Sequence, residues 1–157
     1  MKKITSEKNK VFILGEIAQS YEGDREVLAN VIRGLSTAGA NGAMFQVVFA
    51  DELAVSDYQY YNLFQNLELS DHDWEEIVHL VKKNNLLAIG EVFGKKSFDL
   101  MLNYGIDGIK IHVSDINNVP FLEYVGSHSI PILLSIGGAS TYEIERAITL
   151  LTKKENI

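Results

Sequence analysis

The chain has no cysteine among its 157 residues, which removes disulfide frameworks, thiolate nucleophiles and cysteine-based zinc or iron–sulfur sites at once. It has only two prolines and no low-complexity tract, so proline-rich and disordered classes are excluded. No apolar run approaches the ~18 residues that crossing a bilayer takes, and no membrane association is expected. The basic start, Met1-Lys-Lys-Ile-Thr-Ser, leads into no uninterrupted apolar stretch, so no secretory leader is expected and the expected location is cytoplasmic. Lysine and arginine number 14 against 21 aspartates and glutamates, a net charge of −7. The basic residues are scattered, whereas a nucleic-acid surface needs them clustered. No P-loop, G-x-G-x-x-G fingerprint or Ser-His-Asp order is present. His72, His79, His112 and His128 show no metal-ligand spacing; the first two read as surface positions and His112 as a packed side chain.

What remains is a chain 46% hydrophobic in which short apolar runs alternate with amphipathic stretches, the pattern of repeated β-α units around a parallel sheet. Five units are read. The expected strands are Val11 to Ile17, Gly42 to Phe49, Leu86 to Phe93, Gly108 to Val113 and Ile130 to Ile136. Asp24 is placed to cap the first helix, whose apolar face is Val27, Leu28, Val31, Ile32 and Leu35, with Gly39 closing it. A long connection, Asp51 to Leu69, carries Tyr58, Tyr60 and Tyr61, read as packing of that loop. Ser70 to Asp73 and Ser140 to Glu143 each form a capping pattern. The former opens a helix burying Trp74, Ile77, Val78 and Val81, and the latter one with Ile144, Ala147, Ile148 and Leu151 at helical spacing. Between them helices are expected over Ser97 to Tyr104 and Val119 to Val125, the second with Pro120 in its first turn. Residues 1–157 read as a single domain.

Each strand ends in polar groups: Glu16; Gln46; Glu91; Lys110 with Asp115 and Asn117; and Ser135 with Gly137 and Gly138. In a parallel sheet all strand C-termini lie on one side, so these groups converge. Glu16 inside an apolar strand implies either a structural salt bridge or an acid/base role. Lys110 is either an ion-pair partner of Glu16 or Glu91 or a contact for a phosphate or carboxylate. Gln46 reads as a satisfied interior amide or a ligand contact. Ser135-Ile-Gly-Gly-Ala-Ser140 before a helix is a backbone-amide cradle of the kind that holds phosphate.

From Val11 to about Ile148 the chain resembles the sialic acid synthases, the N-acetylneuraminate synthase family with its pseudaminic and legionaminic relatives. Gly15-Glu-Ile-Ala-Gln-Ser-Tyr-Glu-Gly-Asp24 is similar to that family's A-E-I-G-x-N-H-x-G-D, and Ala38-Gly-Ala-Asn-Gly-Ala-Met-Phe-Gln46 to A-G-A-D-A-V-K-F-Q. Lys110-Ile-His-Val-Ser-Asp-Ile-Asn-Asn118 is similar to K-I-x-S-x-E-x-x-N, and Pro131-Ile-Leu-Leu-Ser-Ile-Gly-Gly138 to P-[IV]-[IL]-L-S-T-G-M; Leu67-Glu-Leu-Ser70 also fits. The resemblance implies an α/β fold of parallel (β/α) units from a TIM-type barrel, with about five of eight present. It implies a transferase of carbohydrate biosynthesis. Phosphoenolpyruvate condenses with an N-acetylmannosamine-type sugar to give a nonulosonic, sialic-type acid, the enol carbon attacking the aldehyde before water adds and phosphate leaves.

By the same resemblance Glu16 and Asp115 are the catalytic candidates. Lys110 and Ser135 would meet phosphoenolpyruvate, Gln46 and Glu16 the sugar, with Asn117 and Gly137 as further substrate contacts. The family's divalent metal, manganese or magnesium, is held by residues beyond the fifth strand, so its ligands are expected to be absent here. Met44 stands for a second phosphate-binding lysine, Tyr21 for a histidine, Val113 for a serine, Glu91 for a threonine and Asp115 for a glutamate. Each change removes or opposes help for phosphate, so weakened or absent synthase activity is expected. The alternatives are a non-catalytic sugar-binding or assembly module of this fold, and an open doubly wound domain with non-sequential strand order. With five units in hand, a homo-oligomer or completion by another chain is expected.

Overall fold

A computed structural model of the chain describes residues 11–152. Five parallel strands form one sheet in the order β1-β2-β3-β4-β5: β1 Leu14–Ala18, β2 Gly42–Gln46, β3 Leu87–Val92, β4 Gly108–Ile111 and β5 Ile132–Leu134. Sequential order is what successive right-handed β-α crossovers give when a sheet curls toward a barrel, and it excludes the doubly wound alternative, whose order reverses. Among the described residues no helix is long and apolar enough to cross a membrane.

The helices are α1 Arg25–Thr37, α2 Ala50–Leu53, α3 Tyr61–Leu67, α4 Asp71–Lys83, α5 Lys95–Asn103, α6 Val119–Gly126 and α7 Thr141–Leu151. Local chemistry sets most of their ends. The Asp24 carboxylate accepts from Glu26 N at 2.7 Å and Val27 N at 3.2 Å, and Gly39 leaves α1 at φ +81°. Ser70 and Asp73 cap each other's backbone at 3.2 Å, as do Ser140 and Glu143 at 3.3 and 2.8 Å. Pro120 sits in the first turn of α6, where its missing N–H costs nothing.

The core lies between one face of the sheet and the helices. Ile17, Phe45, Val92, Ile109 and Ile111 meet Leu28, Ile32, Trp74, Ile77, Phe98, Leu122 and Val125, all buried. Phe45 stacks on Trp74 at 5.5 Å between centroids, and Tyr21 meets the same indole edge-on at 6.0 Å.

Two sequence expectations are corrected here. The connection over residues 51–69 is not a bare loop but holds α2 and α3; Glu68 accepts from Ala50 N at 2.7 Å and pins the start of α2. Tyr58 packs at the surface against Tyr60 at 5.6 Å and Phe64 at 6.2 Å, while Tyr61 donates its hydroxyl to Asp51. The strands are shorter than their apolar runs, because a run outlasts the ladder wherever no neighbour pairs with it. Val11, for example, precedes β1 and is 84% exposed.

Candidate strand-end site

Residues paired across a parallel ladder point to the same face. Gln46 pairs with Glu91 and Glu91 with Lys110, while Glu16 pairs with Met44, two residues before Gln46. Glu16, Gln46, Glu91 and Lys110 therefore share the face opposite the helix-covered core. Their side chains join in one set. Lys110 Nζ lies 3.2 Å from Glu16 Oε2 and 3.2 Å from Glu91 Oε1, and Gln46 Nε2 donates to Glu91 Oε2 at 2.8 Å. Lys110 thus pairs with both carboxylates that the sequence offered it.

Burial grades the set. The side chain of Glu91 is fully buried, that of Lys110 is 20% exposed and that of Glu16 is 41% exposed. Partial burial alone would lower the Lys110 ammonium; the close contact and charge of Glu91, then the charge and hydrogen bond of Glu16, outweigh it and hold the group above the ordinary lysine range. Glu91 Oε1 is the exception to full satisfaction. The ammonium approaches it as an ion pair, yet no donor is aligned on it as a hydrogen bond. Tyr21, wholly buried behind β2, donates its hydroxyl to Gln46 O at 3.1 Å and fixes the strand end; its burial pushes the phenol up. The ladder of β1 bulges between Glu16 and Ala18, where Ala18 has φ +51° and its N–H reaches Glu16 Oε1 at 3.0 Å.

The other candidates lie outside this set. Asp115 closes a short 3-10 turn, Val113–Asp115, and accepts from Asn118 Nδ2 at 3.0 Å and Ser114 Oγ at 3.4 Å. Asn117 Nδ2 donates to Glu143 Oε1 at 2.8 Å, tying the turn to α7. Ser135 continues the ladder, its N–H meeting Ile111 O at 3.0 Å. Gly137 is exposed, and a Cβ there would meet nothing within 4 Å. At the start of α7 the anion is the chain's own: Glu143 accepts from Asn117 and Ser140, and those bonds pull its carboxyl down to about 2. His112 is half-buried, with Nδ1 3.0 Å from Ser114 Oγ.

Glu52 was not singled out by sequence. From α2 it accepts from Lys96 N at 2.7 Å and Ser97 N at 3.2 Å, capping α5, while Ser97 Oγ accepts from Phe93 N and Gly94 N. This is why α5 opens at Lys95 rather than at Ser97. No local pattern marks Glu52, since its partners lie 44 and 45 residues on. Among the described residues no group of three His, Asp or Glu side chains is placed to hold a metal ion, so no chemical step is assigned to one.

The chain is 26% identical to the N,N'-diacetyllegionaminic acid synthase of Legionella pneumophila, over 87% of this chain and 42% of that protein. It is 27% identical to the Campylobacter jejuni protein of the same name, over 92% and 47%. The structure matches that of the N-acetylneuraminic acid synthetase of Leptospira borgpetersenii with a TM-score of 0.86 at 27% identity, over 92% of this chain and 51% of that one. A truncated 3-deoxy-D-arabino-heptulosonate 7-phosphate synthase from Thermotoga maritima, at 19% identity and TM-score 0.69, shares the fold. The chain therefore spans about half the length of the relatives it matches. With the NeuB family profile matching residues 32–157, through the strands that bear Gln46, Glu91 and Lys110, the chain belongs to the NeuB family.

Proposed function

We propose that this chain supplies the amino-terminal half of a NeuB-type site, which recognises an N-acetylmannosamine-type sugar through Glu16, Gln46 and Asp115. The reaction class is condensation of phosphoenolpyruvate with that sugar to a nonulosonic acid, and this chain by itself carries weak or no synthase activity. The observation that supports the reading is the single bonded set at the strand ends, in which Lys110 is the one cation among the described strand residues and both nearby carboxylates share it. Glu16, the most exposed member, is the group able to accept a sugar hydroxyl. Lys110, Ser135, Asn117 and Gly137 are the proposed contacts on the phosphoenolpyruvate side, and Glu16 and Asp115 the proton-handling pair.

The test uses the purified chain with phosphoenolpyruvate, N-acetylmannosamine and manganese. Phosphate release at background is expected, together with calorimetric binding of the sugar alone. Turnover at an enzyme-like rate overturns the assignment of weak activity, and absence of sugar binding overturns the assignment of the pocket. A non-catalytic binding module is the second reading, favoured by the double pairing of Lys110.

A further inference from the structure

We propose that Glu91 is a built-in counter-anion that occupies Lys110 and sets the specificity of the strand-end set, turning it away from anionic ligands and toward uncharged, hydroxyl- and amide-bearing ones. This rests on the reading above that the strand-end set is a ligand site, and it adds the residue that selects the ligand's charge.

Four observations carry it. Lys110 is the only lysine or arginine on the described strands, so it is the one cation an anion entering from this face of the sheet could meet there. Both neighbouring carboxylates already stand 3.2 Å from its ammonium, leaving the three-residue set with a net charge of −1. An incoming phosphate or carboxylate therefore meets repulsion from two carboxylates against attraction from one ammonium. The buried member strengthens this, because charges out of water are screened least. Glu91 is held there on both sides: β3 is buried along its whole length, Gln46 donates to Oε2 at 2.8 Å, and Lys110 lies beside Oε1.

The fourth observation gives the ligand class a positive side. Glu91 is closed to solvent, so the acceptor that a ligand can reach is the carboxylate of Glu16, at the more exposed end of the set. What the set offers beyond its internal bonds is acceptor capacity. Hydroxyl and amide N–H groups complement acceptors; phosphate oxygens do not.

The experiment titrates inorganic phosphate into the whole chain and into Glu91→Gln, which keeps the shape and removes the charge, with chemical shifts or heat as readout. No saturable phosphate binding is expected for the unmodified chain, and an affinity gain of about tenfold or more for Glu91→Gln. The gain must vanish in Glu91→Gln combined with Lys110→Met. Glu16→Gln, at an exposed position that tolerates change, is the second variant should Glu91→Gln not fold, and about a threefold gain is expected there. Phosphate binding by the unmodified chain as tight as by the variants overturns the proposal, as does a folded variant set with no gain. N-acetylmannosamine titrated into the same proteins reports separately on the sugar pocket. Absence of sugar binding by the unmodified chain, with the phosphate gain of the variants intact, sinks the sugar assignment and leaves Glu91's part in excluding anions standing.

Discussion

At the level of single residues, the strand-end set shows why an apolar strand tolerates charge. Glu91 has no exposed surface, and a lone carboxylate there would be strongly disfavoured. Removing its partner leaves it uncompensated, so Lys110→Met is expected to destabilise the chain by ~3 kcal/mol, read from the shift of a urea unfolding midpoint. A change under about 0.5 kcal/mol would mean that water or another group satisfies Glu91. Glu143 offers a different test. Its carboxyl sits at about 2 because Asn117 and then Ser140 hydrogen-bond to the ionised form. A depressed folded value contributes stability above the unfolded value of about 4.5, and this is lost as pH falls from there toward 2. Glu143→Gln should therefore flatten the fall in thermal midpoint across that window, and parallel curves for the two proteins would rule the linkage out. Sequence had flagged Lys110 and both of its carboxylate partners, because a charge inside an apolar run is conspicuous. It could not tell that Asn117 is bound to Glu143, since a polar residue in a turn looks alike whether it faces ligand or helix.

The elements separate by how local their causes are. Strand positions and the two capping boxes were legible because the residues that fix them are neighbours in sequence: Ser70 with Asp73, Ser140 with Glu143, and Asp24 with the amides of Glu26 and Val27. Helices α2 and α3 were not, because the first is fixed by Glu68 returning to Ala50 N and the second carries no side-chain cap. Close approach of elements was equally hidden. A Cβ on Gly126 would lie 2.5 Å from Leu150 O and 2.8 Å from Leu151 Cα, so α6 and α7 meet with no room for a methyl group. Gly126→Ala is expected to cost ~2 kcal/mol of stability by forcing the two helices apart, whatever it gains in helix propensity. Glu52→Ala, which uncaps α5, is expected to cost ~1 kcal/mol. Both are read from denaturant midpoints, and an order with Glu52→Ala the worse would mean that α7 gives way easily while the α2 anchor matters more than a cap.

For the whole molecule the decisive feature is that a sequential parallel sheet stops, within the described residues, at two edges that pair with nothing further: β1 bonds only to β2, and β5 only to β4. The number of units was legible from the period of the hydrophobic pattern. Closure was not, because it depends on what lies beside those edges. Exposed apolar side chains gather near both: Val11 and Ile13 before β1, and Ile136, Tyr142 and Ile148 after β5 and along α7. Beside β5 a groove of about 690 Å³ is lined by Gly126, Ile130, Ile132, Leu134, Ile148 and Leu151. An apolar flank next to an open ladder is a template for another strand. In a parallel sheet of this order, β1 of a second copy can extend β5 of the first without reversing direction, and a two-fold axis repeats the seam. The 157-residue chain is therefore expected to associate at tens of micromolar, giving a mass above the monomer's 17.5 kDa in sedimentation equilibrium. Tyr142→Lys with Ile148→Lys, both at exposed positions, should shift the distribution toward monomer without changing the circular dichroism spectrum. A chain that stays monomeric across the concentration range, and equally so in the double variant, would mean that these edges are held off by twist and charge rather than covered by a neighbour.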